Sequence, residues 1–355
     1  MRTSLVLIFS ALAFSLASCG SRPKTDSNEL VIGSGQIPNL VTKNGNNVHV
    51  VFGMGDSLYY SFSSNKGQSF SSPLLVDTLP GLVSFAMRGP QITNTTNGLA
   101  MIVATRVGNI FSYTKDGTGA WQRATRINDA DTICKEGFLA LGSDGNQNLF
   151  AAWLDLRNNA HNKIYGARSA DGGKTWSKNF EIYASPDGTV CECCKPSVAV
   201  QGKNVYVMFR NRIEGSRDLY LIQSSDGGES FGEAKKLGTG SWKLNGCPMD
   251  GGSLAINPMG IPQTVWRREG TIYASEPGKD EKEIGTGKSC TMAVAGKNNV
   301  YAWVEDGGNI VCLLPNGKKE NLGKGSLPVL KAIGEDELIC VWQQDKKVRR
   351  TLVHL

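Results

Sequence analysis

Ser169-Ala170-Asp171-Gly172-Gly173-Lys174-Thr175-Trp176 is the stretch whose reading decides the fold. It recurs as Ser224-Ser225-Asp226-Gly227-Gly228-Glu229-Ser230-Phe231. A weaker copy reads Ser63-Ser64-Asn65-Lys66-Gly67-Gln68-Ser69-Phe70. A degenerate fourth runs from Thr114 to Trp121, keeping the spacing of Asp116 and Trp121 while the glycines shift. An Asp or Asn side chain accepts backbone N–H groups just ahead of it, and the glycines supply φ > 0. The closing Trp or Phe is an apolar plug for the underside of the turn. A strand-like run precedes each clear copy: Leu58-Tyr59-Tyr60-Ser61-Phe62, Ile164-Tyr165-Gly166-Ala167-Arg168 and Leu219-Tyr220-Leu221-Ile222-Gln223. The phrase therefore reads as a tight loop between antiparallel strands, and its acid needs no ligand to explain it.

Around these turns a larger unit repeats. Its second strands are Val48–Phe52, Leu99–Val103, Leu149–Trp153, Val205–Phe209, Pro262–Trp266, Val300–Trp303 and Leu338–Trp342. Their ends recur at intervals of 37 to 57 residues, the period of propeller blades built from four short strands. Seven units start near Ile37, Pro90, Gly137, Lys195, Asp250, Ser289 and Leu327. The fold class expected is all-β, a single β-propeller over 30–355 with seven blades; six is the alternative if the short later units merge. The last unit lacks a fourth strand, which Leu30-Val31-Ile32-Gly33 is placed to supply. The 42 glycines and the scarcity of helical periodicity agree with this class.

Residues 1–18 read as a signal peptide. Arg2 gives the positive start, and Leu5 to Leu16 form an apolar stretch too short to span a bilayer. Leu16-Ala17-Ser18-Cys19 resembles a bacterial lipobox, which implies cleavage before Cys19 and lipidation of that residue. Gly20 follows, with no Asp to hold the protein at the inner membrane, so the expected location is the outer membrane of the cell envelope. Residues 19–29 read as the lipidated Cys and a flexible tether. The formal net charge is +6, without a Lys/Arg block beyond Lys346-Lys347-Val348-Arg349-Arg350, so nucleic acid is not an expected partner. The expected partners are the membrane, through the anchor, and a glycan or protein ligand.

Alternating strand direction fixes which loops share a face. The loop that opens each blade and the loop after each second strand lie on one side, and the repeated turns on the other. The blade-opening loops carry Arg88, Cys134, Glu136, Cys191, Glu192, Cys193, Cys194, Cys247, Asp250 and Cys290. The loops after second strands carry Asp155, Arg157, Arg210, Arg212, Arg267 and Arg268. These groups should converge on one mouth of the central channel, where loops from rigid sheets meet. In an oxidising envelope, Cys134, Cys191, Cys193, Cys194, Cys247 and Cys290 read as structural disulfides, with Cys191, Cys193 or Cys194 paired to Cys134 or Cys247 among the options. A Cu(I) or Zn site is the second reading of Cys191-Glu192-Cys193-Cys194, and redox chemistry the third. Cys312 and Cys340, inside apolar strands, read as buried core thiols. The three histidines, His49, His161 and His354, are scattered, which argues against Ser-His-Asp and Cys-His catalysis.

The repeated turn resembles the Asp-box of the sialidase (BNR-repeat) superfamily. Ala152 to Arg157, Cys191 to Pro196, Phe209 to Arg212 with Ser216-Arg217-Asp218, and Cys247 to Gly252 are similar to bacterial sialidase-like lipoproteins. The resemblance implies arginines gripping a sugar carboxylate, a Tyr–Glu nucleophile and an Asp acid/base, on six blades. A bidentate guanidinium suits a carboxylate, and a neutral nucleophile suits an anionic sugar. Arg88-Gly89-Pro90 is the nearest match to the family's Arg-Ile-Pro. Arg210 and either Arg267 or Arg268 are the other arginine candidates, Glu136 or Glu192 the base, and Asp155 or Asp250 the acid. Arg157, Arg212 and Asp250 are ligand-binding candidates, with Arg157 equally suited to pair with Asp155. Tyr273 and Tyr301 fall within strands and read as packing, so no tyrosine stands at the mouth. Three functions remain open: a lipid-anchored propeller binding a ligand or partner at this mouth, an exo-sialidase-type glycoside hydrolase on anionic glycans, and a metal-binding or redox envelope protein.

Overall fold

The computed structural model describes residues 28–117, 119–158 and 160–355. The expected signal peptide, the expected lipidation site Cys19 and most of the expected tether lie outside them. Asn28 and Glu29, the end of that tether, are tied to the last blade: the Asn28 amide donates to the Leu352 carbonyl at 3.0 Å, and Glu29 pairs with Arg349. Among the described residues no helix is long and apolar enough to cross a membrane.

The strands form seven four-stranded sheets, so the count is seven and not the sialidase six. The inner strands are Gln36–Lys43, Gln91–Asn94, Leu139–Ser143, Ser197–Gln201, Ser253–Ile256, Lys288–Ala295 and Ser326–Ala332. The second strands are Asn47–Met54, Gly98–Ala104, Leu149–Asp155, Asn204–Arg210, Pro262–Arg268, Asn298–Val304 and Glu337–Gln344. Six blades use four consecutive strands. The seventh takes Leu30–Ser34 as its outer strand, with Leu30 opposite Arg350 and Val31 opposite Arg349. That exchange leaves Lys347–His354 with no free edge and ties the two ends of the chain together.

Each second strand is covered on both faces. Gly98–Ala104 and Leu149–Asp155 are buried along their whole length, and Trp153, Trp303 and Trp342 are fully buried. Close glycines make room for the indoles: a Cβ on Gly285 of blade 5 would lie 2.4 Å from the Trp303 ring of blade 6. Cys312 and Cys340 are buried in the core cluster of the last two blades, as expected.

All three clear turn phrases join a third strand to a fourth and share one bonding scheme. The first Ser is the relay. Ser169 Oγ donates to Asp171 Oδ1 at 2.8 Å and accepts the Gly173 N–H at 2.8 Å. Ser63 with Gly67 and Ser224 with Gly228 repeat this at 2.8 Å. The acid then accepts further on, from Thr175 N at 2.9 Å, Ser230 N at 3.0 Å and, with Asn65 in its place, Ser69 N at 3.0 Å. The closing aromatic does more than plug its own turn. Phe70, Trp121, Trp176 and Phe231 each pack on the cluster shared with the preceding blade. Phe231 meets Phe150 of blade 3 edge-on at 5.7 Å. Lys66–Glu337 and Lys174–Asp116 bridge the same seams at 3.0 and 3.2 Å. The turn is thus a staple between blades.

Two stability tests follow from this scheme. Ser224→Ala strands the buried Gly228 N–H and should cost about 1–3 kcal/mol in denaturant unfolding, whereas exposed Ser225→Ala should stay within about 0.5 kcal/mol. Ile32→Ala removes the outer-strand residue packed at the closing seam and should cost about 2–5 kcal/mol by the same measurement.

Candidate functional site

The central channel is lined by inner strands from all parts of the ring and holds a cavity of about 180 Å³. The opening loops of blades 4 and 5 contribute Lys195, Asp250 and Gly251 to its lining. The Cys191 N–H donates to the Arg210 carbonyl at 3.0 Å, which pins the opening loop of blade 4 to the end of that blade's second strand. Cys193 and Cys247 are joined by a disulfide that ties this loop to the opening loop of blade 5. Cys191 Sγ lies 3.6 Å from both Cys193 Sγ and Cys194 Sγ. Cys191, Cys193 and Cys194 are buried, whereas Cys247 is exposed.

Arg217 reaches over this cluster. Its Nη1 donates to Cys191 Sγ at 3.1 Å and to Glu192 Oε2 at 3.2 Å. A guanidinium has no acceptor, so the Cys191 sulfur accepts from Arg217, while its own contact to the Cys194 sulfur runs at 3.6 Å. The Cys194 thiol, with the Cys193 N–H and the charges of Arg210 and Arg217, holds the Cys191 thiol down to about 6 against its burial. Burial, and then Cys191 itself, pushes Cys194 well up.

The arginine candidates are committed to the fold. Arg210 is 2% exposed. Its Nε, Nη1 and Nη2 donate to the carbonyls of Asp250, Arg217 and Arg267 at 3.2, 2.7 and 2.9 Å. Arg267 donates to the Pro248 carbonyl at 3.3 Å, and its Nε stands 3.5 Å from Asp250 Oδ2. Both guanidinium groups lie over Trp242. Asp250 is 1% exposed, accepts the Ser289 N–H at 3.1 Å and keeps Oδ1 without a hydrogen-bond partner among the described residues. Burial pushes its carboxyl up, against the pull of Arg267. Cys290, in the channel wall near Asp250, is also pushed well up by burial. Arg268 forks onto Glu281 at 2.7 and 2.6 Å.

The remaining candidates form two groups around blade 3. Asp155 is fully buried, accepting from Trp153 Nε1 at 2.8 Å and from Arg157 N and Nε at 2.9 Å. Arg157 also reaches Asp129 and Asn179 and stacks on Tyr165, 4.2 Å from its ring centre. Arg88 donates to the Glu136 carbonyl, pairs with the Glu136 carboxylate at 3.5 Å and lies 4.0 Å over the Phe138 ring. Cys134 is sealed in an apolar cluster with Val83, Ile102 and Trp153, where burial pushes its thiol far up. It lies in a core apart from the Cys191 cluster. Arg212 is exposed; against its burial, Glu192 is held down by hydrogen bonds from its own backbone N–H and from Arg217, then by the charges of Arg217 and Arg212.

Sequence reasoning missed three groups here. Arg217 lay inside a quoted stretch without a role. Lys195 and Lys331 both line the channel and make no ion pair among the described residues. They belong to blades 4 and 7, on opposite sides of the ring. Lys331 is legible as the charged position of the otherwise apolar run Val329-Leu330-Lys331-Ala332, with Leu330 turned into the core. It keeps contact with water inside the lumen, where enclosure by protein lowers its ammonium. Enclosure also lowers Lys195, to about 8, with Lys331 adding repulsion.

On the opposite face, blades 1 and 2 frame a cleft of about 830 Å³ around His49, Tyr60, Phe62 and Trp121. The His49 Nδ1 faces the Tyr60 hydroxyl at 2.8 Å. A neutral imidazole accepting there carries its proton on Nε2.

No protein-family model matches the chain, and no curated protein does. Solved structures do. The α-L-arabinofuranosidase Arb93A from Fusarium graminearum is similar over 92% of this chain and 97% of its own, at 12% identity and a TM-score of 0.55. A PL25 ulvan lyase bound to GlcA(1-4)Rha3S covers 92% and 95%, at 11% identity and a TM-score of 0.56. Virginiamycin B lyase from Staphylococcus aureus covers 92% and 98%, at 13% identity and a TM-score of 0.54. At these identities the likeness is one of fold.

The cleft histidine gives a pH test. Burial, with repulsion from Lys43 and Lys115, holds His49 down to about 4 from the ordinary 6.5. Between those values the unfolded chain takes up a proton that the folded one refuses, so stability falls as pH drops from about 6.5 to 4. The loss should be about 3 kcal/mol in wild type and absent in His49→Gln, followed by urea unfolding across that range.

Proposed function

We propose that this chain is a lipid-anchored cell-envelope propeller of the sialidase-like, Asp-box type that binds a small acidic sugar in the mouth of its central channel. The observation that carries this reading is the pair Lys195 and Lys331 lining one lumen with no carboxylate paired to either among the described residues. Two ammonium groups that face one lumen from opposite sides of the ring repel each other, and an anion between them relieves that cost. The one acid in the wall, Asp250, is turned to Arg267 and the Ser289 N–H. The ulvan lyase bound to GlcA(1-4)Rha3S supports a glycan as the ligand class for a propeller of this shape. The bonding of Ser169, Asp171 and Gly173 supports the Asp-box assignment. The order Arg2, apolar core, Leu16-Ala17-Ser18-Cys19 supports lipidation and an outer-membrane address.

Binding is preferred to hydrolysis on the geometry of the arginines. Arg88, Arg210 and Arg267 donate to backbone carbonyls, so a clamp made from them would have to break the loops that position it. Arg212 remains as an exposed cation at the rim to steer an anion inward.

Isothermal titration with glucuronate, sialic acid and neutral glucose tests the reading. The two acids should bind with heat that weakens as salt rises, glucose should not bind, and Lys331→Met should lower acid affinity at least about tenfold, the scale of one lost charge contact. Equal binding of glucose, or full affinity in Lys331→Met, would contradict it. Cys19→Ala should move the protein from the membrane fraction to the soluble fraction.

A further inference from the structure

The thiol cluster of blade 4 takes no part in that anion site. Three sulfurs, those of Cys191, Cys193 and Cys194, lie within 4.8 Å of one another in a buried pocket. The fourth, Cys247, is bonded to Cys193. From this convergence we infer that the reduced chain holds one thiophilic d¹⁰ cation, Cu(I) or Zn(II), on Cys191, Cys193 and Cys194, with Cys247 as the fourth donor.

Three features of the pocket suit such an ion. The first is donor softness. Thiolates select Cu(I) and Zn(II), and both ions accept the trigonal or tetrahedral arrangements that three or four sulfurs at one point provide. The second is charge. Three thiolates around Cu(I), or four around Zn(II), leave a net charge of about −2 in a buried site, which needs cations beside it. Arg217 donates to the Cys191 sulfur at 3.1 Å while also meeting Glu192, and the charge of Arg210 reaches both Cys191 and Cys194. The third is the outer shell. The Cys191 N–H is tied to the Arg210 carbonyl at 3.0 Å, which fixes the loop that presents the sulfurs.

The disulfide makes the site redox-gated. With Cys193–Cys247 bonded, two of the four donors are occupied. Cys247 is the exposed half of the bond and Cys193 the buried half. A thiolate of an external dithiol attacks the Cys247 sulfur, and the bond to Cys193 breaks with its electron pair remaining on Cys193. The reductant's second thiolate then displaces Cys247 from the mixed disulfide. The dithiol leaves as its cyclic disulfide, having supplied two electrons, and the two protons go to the freed cysteines or to water. Metal binding then releases the protons of the coordinating thiols to solvent. The exposed position of Cys247 gives both reductant and ion their way in.

The test is competition of the purified full chain, reduced and unreduced, against a chromophoric chelator for Zn(II) and, under inert gas, for Cu(I). Co(II) serves as a spectroscopic stand-in for Zn(II). The reduced chain should bind one equivalent of at least one ion, and Co(II) should give the intense near-ultraviolet band of thiolate ligation. The unreduced chain should bind at least about a hundredfold more weakly, because two donors are withheld. Cys191→Ser with Cys194→Ser should abolish binding, Cys290→Ser should leave it intact, and Arg217→Gln should weaken it about 10- to 100-fold. Binding of only one of the ions supports the site and names its occupant. Reduced and unreduced wild type with equal affinity, or binding without the thiolate band, overturns the inference without recourse to any variant. Neither result bears on the acid-sugar titration, which needs no reductant.

Discussion

A four-stranded sheet whose second strand is apolar on both sides cannot stand alone. Gly98–Ala104 and Leu149–Asp155 have no solvent-facing position at all, so each sheet must be covered twice. Closing the sheets in a ring meets that demand for every member at once, and the rest of the molecule follows from the closure. It sets the seventh blade's need for Leu30–Ser34 as an outer strand. It also makes the Ser-x-Asp turns useful twice, since a loop that ends a hairpin lies at a seam and its aromatic fills that seam. Because all inner strands run the same way, it delivers the opening loops of all blades to one end of the channel.

At that end, polar groups settle into separate knots. Around blade 3, Asp155 and Arg157 satisfy each other and Arg88 takes Glu136, all against aromatic rings. Between blades 4 and 5, Arg210 binds three carbonyls from three segments and so acts as the cross-beam of the mouth. A buried guanidinium satisfied by carbonyls is costly to remove and poorly placed to bind a ligand. Two sets of groups are left over by this accounting: the lumen lysines, which make no ion pair among the described residues, and the Cys191 cluster, whose three sulfurs lie within 4.8 Å of one another.

Much of the frame was legible in the chain. The seven second strands, their inner neighbours and the role of Leu30 to Gly33 can be read from apolar runs and turn chemistry, which are local signals. The joining of Cys193 to Cys247 stood among the options, because blade-opening loops of neighbouring blades must meet. What could not be read is which side-chain donors are consumed. Arg210 and Arg88 look alike in sequence to anion-binding arginines, and only the path of neighbouring loops brings carbonyls to their forks. Cys134 sits in the same kind of loop as Cys191, yet Val83 and Trp153 close over it. Lys331 was readable in principle, as a charge at the lumen-facing position of an apolar inner strand. The relay of the turns through Ser169 and Ser224 was likewise in view, since both copies begin with Ser.

The placement of the thiols at the meeting of blades 4 and 5 can be checked directly by alkylating the native, unreduced protein under denaturing conditions and mapping its peptides by mass spectrometry. A cross-linked pair containing Cys193 and Cys247, with Cys134 and Cys290 recovered as alkylated thiols, is the expected pattern. A bond joining Cys134 or Cys290 to the Cys191–Cys194 segment would contradict the loop arrangement on which the site rests.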